Sequence, residues 1–120
     1  MERLLERALA MPQAVAENPF GPESICVRIG PHGPIFASFM PDRNWVSFRC
    51  EMQQGQVWRA AFPGTVRRGY HCPPVQQPYN NTVTLDGTVL DEILHAMLLH
   101  SYERAKRGMT KAARKALGLE

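Results

Sequence analysis

Three groups of side chains in this chain of 120 residues have types that could do chemistry. His71-Cys72 sets an imidazole beside a thiol, the pairing that a nucleophile and its base would use. His100-Ser101-Tyr102 sets a hydroxyl between an imidazole and a phenol. From Ser101 onward the cations Arg104, Lys106, Arg107, Lys111, Arg114 and Lys115 face only Glu103 and Glu120, whereas up to His100 eight basic residues meet nine acidic ones. A net charge of +3 is therefore carried by the C-terminal tail, and phosphates are the groups such a tail attracts.

Spacing argues against catalysis in the first two groups. A metal needs three or four converging ligands and a base needs a partner, and no spacing around His71 supplies either. His32 falls in a turn and His95 on the outer face of a helix. Successive residues on a helix point about 100° apart, so His100, Ser101 and Tyr102 cannot face one another for proton transfer. Packing is the stronger reading for all three, with Ser101 as a small residue that lets a strand approach. Cys26, Cys50 and Cys72 are odd in number and widely spaced, which reads as reduced, half-buried core thiols rather than a disulfide frame or a metal site. The sequence holds no nucleophile elbow, phosphate loop, paired-histidine motif or Gly-rich dinucleotide fingerprint. The expectation is a protein that is not an enzyme and takes no cofactor.

The elements that would position these groups follow from periodicity. Leu4, Leu5, Ala8 and Met11 recur at helical spacing, and Pro12 stops that helix. Ser24 to Ile29, Ile35 to Met40 and Trp45 to Cys50 read as strands joined by short loops, hence an antiparallel meander. Trp45, Phe48, Phe36 and Phe39 alternate as aromatics on a core face do. Base stacking on an exposed sheet would need basic residues interleaved on the same face, and none is evident there. Glu51 to Phe62 reads as a second helix with Met52, Trp58, Ala61 and Phe62 inward, although Gly55 costs it about 1 kcal/mol relative to Ala. Thr65 to Cys72 and Asn81 to Leu85 read as two strands around a loop stiffened by Pro73, Pro74 and Pro78. That loop is either a recognition surface or a connector.

Asp86-Gly87 makes a turn, and Thr88 with Asp91 resembles a capping box opening the third helix. Leu90, Ile93, Leu94, Met97 and Ser101 share one of its faces; Glu92, His95, Leu99 and Glu103 lie opposite. Gly108 interrupts it and Thr110 caps a short last segment, Lys111 to Leu117. If the helix ran through Gly108, Arg104, Arg107, Lys111, Arg114 and Lys115 would fall within about one third of its circumference. If Gly108 breaks it, Lys111, Arg114 and Lys115 still share a face. A solvated helix end, favoured by the macrodipole alone, is the plain alternative. Arg67-Arg68, the one basic pair in the body, points to opposite faces of its strand, so one of the two can join any given patch.

The sum is a single α+β domain over residues 1–120 with a basic helical tail at 104–120. One antiparallel sheet carries helices packed on it, in the order α-β-β-β-α-β-β-α plus a short C-terminal helix. No apolar run approaches the ~20 residues of a membrane span, and acids stand where a signal peptide is basic. A cytoplasmic location without membrane attachment is expected.

Gly69-Tyr70-His71, Asn81-Thr82-Val83 with Leu85-Asp86-Gly87, and His100-Ser101-Tyr102, preceded by Asn18-Pro19-Phe20-Gly21-Pro22, resemble the motifs of the MmcQ/YjbR family of small bacterial proteins, in order and over most of the chain. One position departs: the family usually places a Trp just before its Asn-Thr-Val, where this chain has Asn80 with Tyr79 beside it. The resemblance implies a fold grouped with secretion-chaperone-like and double-wing modules, and DNA binding. The residues expected to contact phosphates of double-stranded DNA are Arg67, Arg68, Arg104, Arg107, Lys111, Arg114 and Lys115. The alternative is a protein-interaction or chaperone-like module, often a homodimer, that holds a protein partner through its sheet or the Pro73–Pro78 loop.

Overall fold

Amphipathic spacing sets the first helix. Leu4 and Ala8, one turn apart, are buried on α1 (Glu2–Leu9), and Leu5 and Met11 pack against the same core. The structure is a computed structural model that describes residues 1–119; Glu120, counted in the tail charge above, lies outside them. After α1 come β1 (Ala14–Glu17), β2 (Ile25–Ile29), β3 (Ile35–Met40), β4 (Trp45–Arg49), α2 (Met52–Ala61), β5 (Val66–Arg68), β6 (Asn80–Thr84), α3 (Asp91–Arg107) and α4 (Lys111–Ala116). All strands pair antiparallel in one six-stranded sheet of order β1-β2-β3-β4-β6-β5. The class is α+β, with helices packed against this sheet.

β1 is an addition to the expected meander. Ala14-Val15-Ala16-Glu17 holds one β-branched residue and carries little strand signal. Its pairing with β2 and the ion pair of Glu17 with Arg28, 2.7 Å, hold it at the sheet edge. β5 is shorter than predicted and ends at Arg68, so His71 and Cys72 lie in a turn. The Gly69 N–H donates to the Asn80 carbonyl at 2.7 Å, a Cβ at position 69 would lie 2.7 Å from the Asn80 Cβ, and the Tyr70 N–H folds back onto the Arg68 carbonyl. That close approach ends the ladder.

The pleat sorts side chains into two faces. On one, Ile25, Phe39, Val46, Val83 and Val66 form a row across five strands, with Val27, Ala37 and Phe48 beside it. α3 lays Leu94, Met97, Leu98, Ser101, Tyr102 and Ala105 on this core. A bulge between Val27 and Arg28 leaves Phe36 facing the same side, edge-on to Tyr102 at 5.1 Å between ring centres. Leu90 is not on the buried face as predicted: it is the N-cap of α3 and exposed, and Leu98 takes the inward place. Nor does Thr88 act as the cap, because Asp86 Oδ1 instead accepts the Thr88 N–H at 2.9 Å in the turn before the helix.

α2 also turns differently from expectation. Met52 and Ala61 are exposed, and Gly55 is its buried residue, with Trp58, Arg59 and Phe62 partly covered. Asn81, buried on β6, accepts from Arg59 Nη1 at 2.6 Å and donates to the Gly55 carbonyl at 3.2 Å, fastening α2 to the sheet. Gly108 ends α3, and the Thr110 hydroxyl accepts the Ala113 N–H at 3.1 Å to start α4 as the sequence predicts. α4 is docked: Leu117 packs on the core, and its methyl carbon lies 2.8 Å from where a Cβ on Gly30 would stand.

Candidate functional site

His100, Ser101 and Tyr102 each reach a different element, as their 100° separation on α3 requires. His100 Nε2 accepts the Glu51 N–H at 3.0 Å, tying α3 to the start of α2, while Trp58 meets the imidazole edge-on at 5.2 Å. Ser101 Oγ accepts the Arg49 N–H at 2.8 Å and donates to the Phe36 carbonyl at 2.5 Å, joining β4 to β3. Tyr102 Oη donates to the Pro12 carbonyl at 2.8 Å and holds the segment between α1 and β1. Burial lowers the His100 pKa, with the nearby arginines adding to the effect and Glu51 opposing it. The triplet is a set of three ties between helix and sheet.

His71 and Cys72 do come together, Nε2 to Sγ at 3.3 Å, in the turn after β5. Burial lowers the His71 pKa and raises that of Cys72, where the Arg49 charge pulls the other way. An activated cysteine–histidine pair shifts in the opposite sense. Cys26, Cys50 and Cys72 are all free thiols, and burial pushes Cys50 up to about 11. Among the described residues no three His, Cys, Asp or Glu side chains gather as metal ligands. His95 is half-buried rather than outward, and its Nδ1 is a buried nitrogen without a partner.

The sheet face opposite the α3 core forms a groove of about 830 Å³. Its floor is a row of small polar side chains set by register: Cys26 beside Ser38, Ser38 beside Ser47, Ser47 beside Thr82, Thr82 beside Arg67. Ser47 Oγ and Thr82 Oγ1 share a hydrogen bond of 2.9 Å. Phe20 and Glu23 of the β1–β2 connector line it, as do Tyr70, Gln76 and Tyr79 of the β5–β6 loop. That proline-rich loop is ordered by backbone bonds from Gln76 and Gln77 to the Pro73 carbonyl, and by the Gln77 side chain on the Cys72 carbonyl.

Cations concentrate in this groove. Arg49, Arg67, Arg68 and Arg104 line it against one carboxylate, Glu23. Arg67 lies over the Trp45 ring at 4.7 Å and donates to Thr84 Oγ1 at 3.1 Å. Arg68, on the opposite pleat, lines the groove from the last position of β5. Arg49 donates through Nε to the Ile35 carbonyl at 2.6 Å, and its pKa is lowered by burial and then by the Arg104 charge. Trp45 thus belongs to the open face, whereas Phe36, Phe39 and Phe48 lie in the core. The predicted aromatic core row is corrected at that one residue, and the missing basic neighbours are present beside it.

The tail is divided among several partners. Arg104 and Arg107 both bind Glu51, at 2.9 and 2.6 Å, and Arg104 also lies over Tyr79 at 5.0 Å. Lys106 pairs with Glu103 at 3.3 Å. Arg114 donates to the Met109 carbonyl at 2.7 Å, closing the C-terminal end of α3. With Gly108 ending α3, the stripe reduces to the α4 set Lys111, Arg114 and Lys115. Lys111 and Lys115 are exposed there.

An antiparallel sheet backed by helices on one side, with a groove lined by arginines on the other, makes this an α+β domain. Among the described residues no helix is long and apolar enough to cross a membrane. The family model YjbR matches residues 9–104, and the chain belongs to that family. The crystal structure of the Deinococcus radiodurans protein DR2400, with the family-model domain DUF419, is similar at 31% identity and a TM-score of 0.87, over 99% of this chain and 88% of that one. A protein from Pseudomonas syringae shares the fold at 14% identity and a TM-score of 0.71, over 87% of this chain and 97% of that one. No curated protein sequence matches the chain.

Proposed function

We propose that this protein binds nucleic acid without catalysis and without a cofactor, seating the phosphate backbone along the open face of its sheet. The observation that carries this reading is the lining of the groove: Arg49 and Arg67 on its sheet face, with Arg68 and Arg104 at its borders, against a single carboxylate, Glu23. Such a surface attracts a polyanion, and arginine forks bind phosphate oxygens in pairs. Arg67 is the central contact, with Arg68 at the edge of β5 and Arg104 at the α3 end; Arg107, Lys111, Arg114 and Lys115 extend the positive field beyond it. A protein-binding module is the second reading, favoured by the exposure of Phe20, Tyr70 and Val75, two of which line the same groove.

Fluorescence anisotropy of labelled oligonucleotides at about 50 and 200 mM salt tests the proposal. Expected is binding at low salt that weakens by at least an order of magnitude at the higher concentration, since about four phosphates are neutralised. Absence of binding to any oligonucleotide at low salt rules the reading out.

A further inference from the structure

Resting on that reading, we propose that the groove takes a single strand in preference to a duplex, with bases laid on its aromatic side chains and phosphates on its arginines. Proteins that read duplex DNA present a helix or ribbon narrow enough to enter a major groove about 12 Å wide. Here the arginines line a concavity whose walls also include Phe20 of the connector and Tyr70 and Tyr79 of the loop. A single strand can descend into such a space and splay its bases.

The side chains suit such a ligand. Tyr70 and Phe20 are 72% and 77% exposed, unusual for large rings, and both line the groove. Trp45 holds Arg67 against its ring at 4.7 Å and so fixes the guanidinium that takes a phosphate. The half-buried Ser38 and Ser47 place hydroxyls in the floor for base edges, while Thr82 is buried and bonded to Ser47. A volume of about 830 Å³ suits a short stacked segment, on the scale of the two or three bases that a recognition sheet holds.

The test compares labelled oligothymidylate with a self-complementary duplex by anisotropy at about 50 mM salt, for the parent and for Tyr70→Ala and Phe20→Ala, with poly-glutamate as a competitor of matched charge. The expected result is oligothymidylate bound about tenfold more tightly than duplex, with each variant weakening the single strand by about tenfold and leaving the duplex nearly unchanged. Both rings are exposed, so neither variant endangers folding. Equal or tighter duplex binding overturns the inference and leaves the nucleic-acid reading intact. Binding of neither nucleic acid overturns both. Poly-glutamate displacing the single strand at equal charge concentration assigns the groove to acidic protein segments and also overturns the inference.

Discussion

Ser101 shows most directly how one side chain on α3 organises the sheet. Its hydroxyl is fully buried and bonded on both sides, to the Arg49 N–H and the Phe36 carbonyl. Ser101→Ala is expected to lower stability by about 1–3 kcal/mol in urea unfolding, because two backbone groups lose their partner. His100 makes a titratable tie. Its Nε2 accepts a backbone N–H and so must be unprotonated, and its folded pKa lies below the ordinary 6.5. Stability from this group is full above the unfolded pKa of about 6.5 and falls away as pH drops through the lower folded value. His71 is shifted the same way and adds to the slope. Unfolding titrations from pH 7.5 to 5 are expected to show this loss in the parent and a shallower one in His100→Gln. An unchanged slope in the variant would contradict the role given to His100. That the three side chains point to different elements was legible from helical geometry alone. Their partners were not, because they are backbone groups from strands far away in sequence.

Gly55 lies at the contact between α2 and the sheet. Helix propensity alone expects Gly55→Ala to stabilise by about 1 kcal/mol. A Cβ there would stand 2.5 Å from Cys50 Sγ and 3.2 Å from Arg59 Nη1, so the account expects destabilisation instead. The loss should shrink in a Cys50→Ala background, a coupling that a double-mutant cycle in urea reads out. Additive effects would mean that the clash is not the cause. α1, with its apolar stripe, and α4, with its Thr110 cap, followed from their sequences. β1, the end of β5 and the inward face of α2 did not, because each is set by approach to a neighbour: an edge pairing to β2, the contact of Gly69 with Asn80, and the bonds of Asn81 to α2. Asn81-Thr82-Val83 illustrates the division. Val83 was recognisable as a strand residue, while its place in the core and the ties of Asn81 to Arg59 and of Thr82 to Ser47 appear only with the register.

Over the whole molecule, the sum of charges along the chain does not by itself show where cations gather in space. The tail holds the excess in sequence, yet Glu51 binds Arg104 and Arg107, Glu103 binds Lys106, and Arg114 closes a helix end. The body is nearly balanced in sequence, yet folding sends its carboxylates elsewhere: Glu17 to Arg28, Asp91 to Arg3 and Glu51 to the tail. What remains on the open face is Arg49, Arg67 and Arg68 with Glu23, while Arg104, paired with Glu51, borders it. The most direct measurement is the salt dependence of oligothymidylate binding for the parent, an Arg67→Ala/Arg68→Ala variant and a Lys111→Ala/Lys115→Ala variant. If the groove holds the phosphates, the groove variant loses about 1.4 from the slope of log affinity against log salt, and the tail variant keeps most of the parent slope. The reverse pattern, a parental slope in the groove variant and a lost one in the tail variant, would contradict the account and move the contacts to α4.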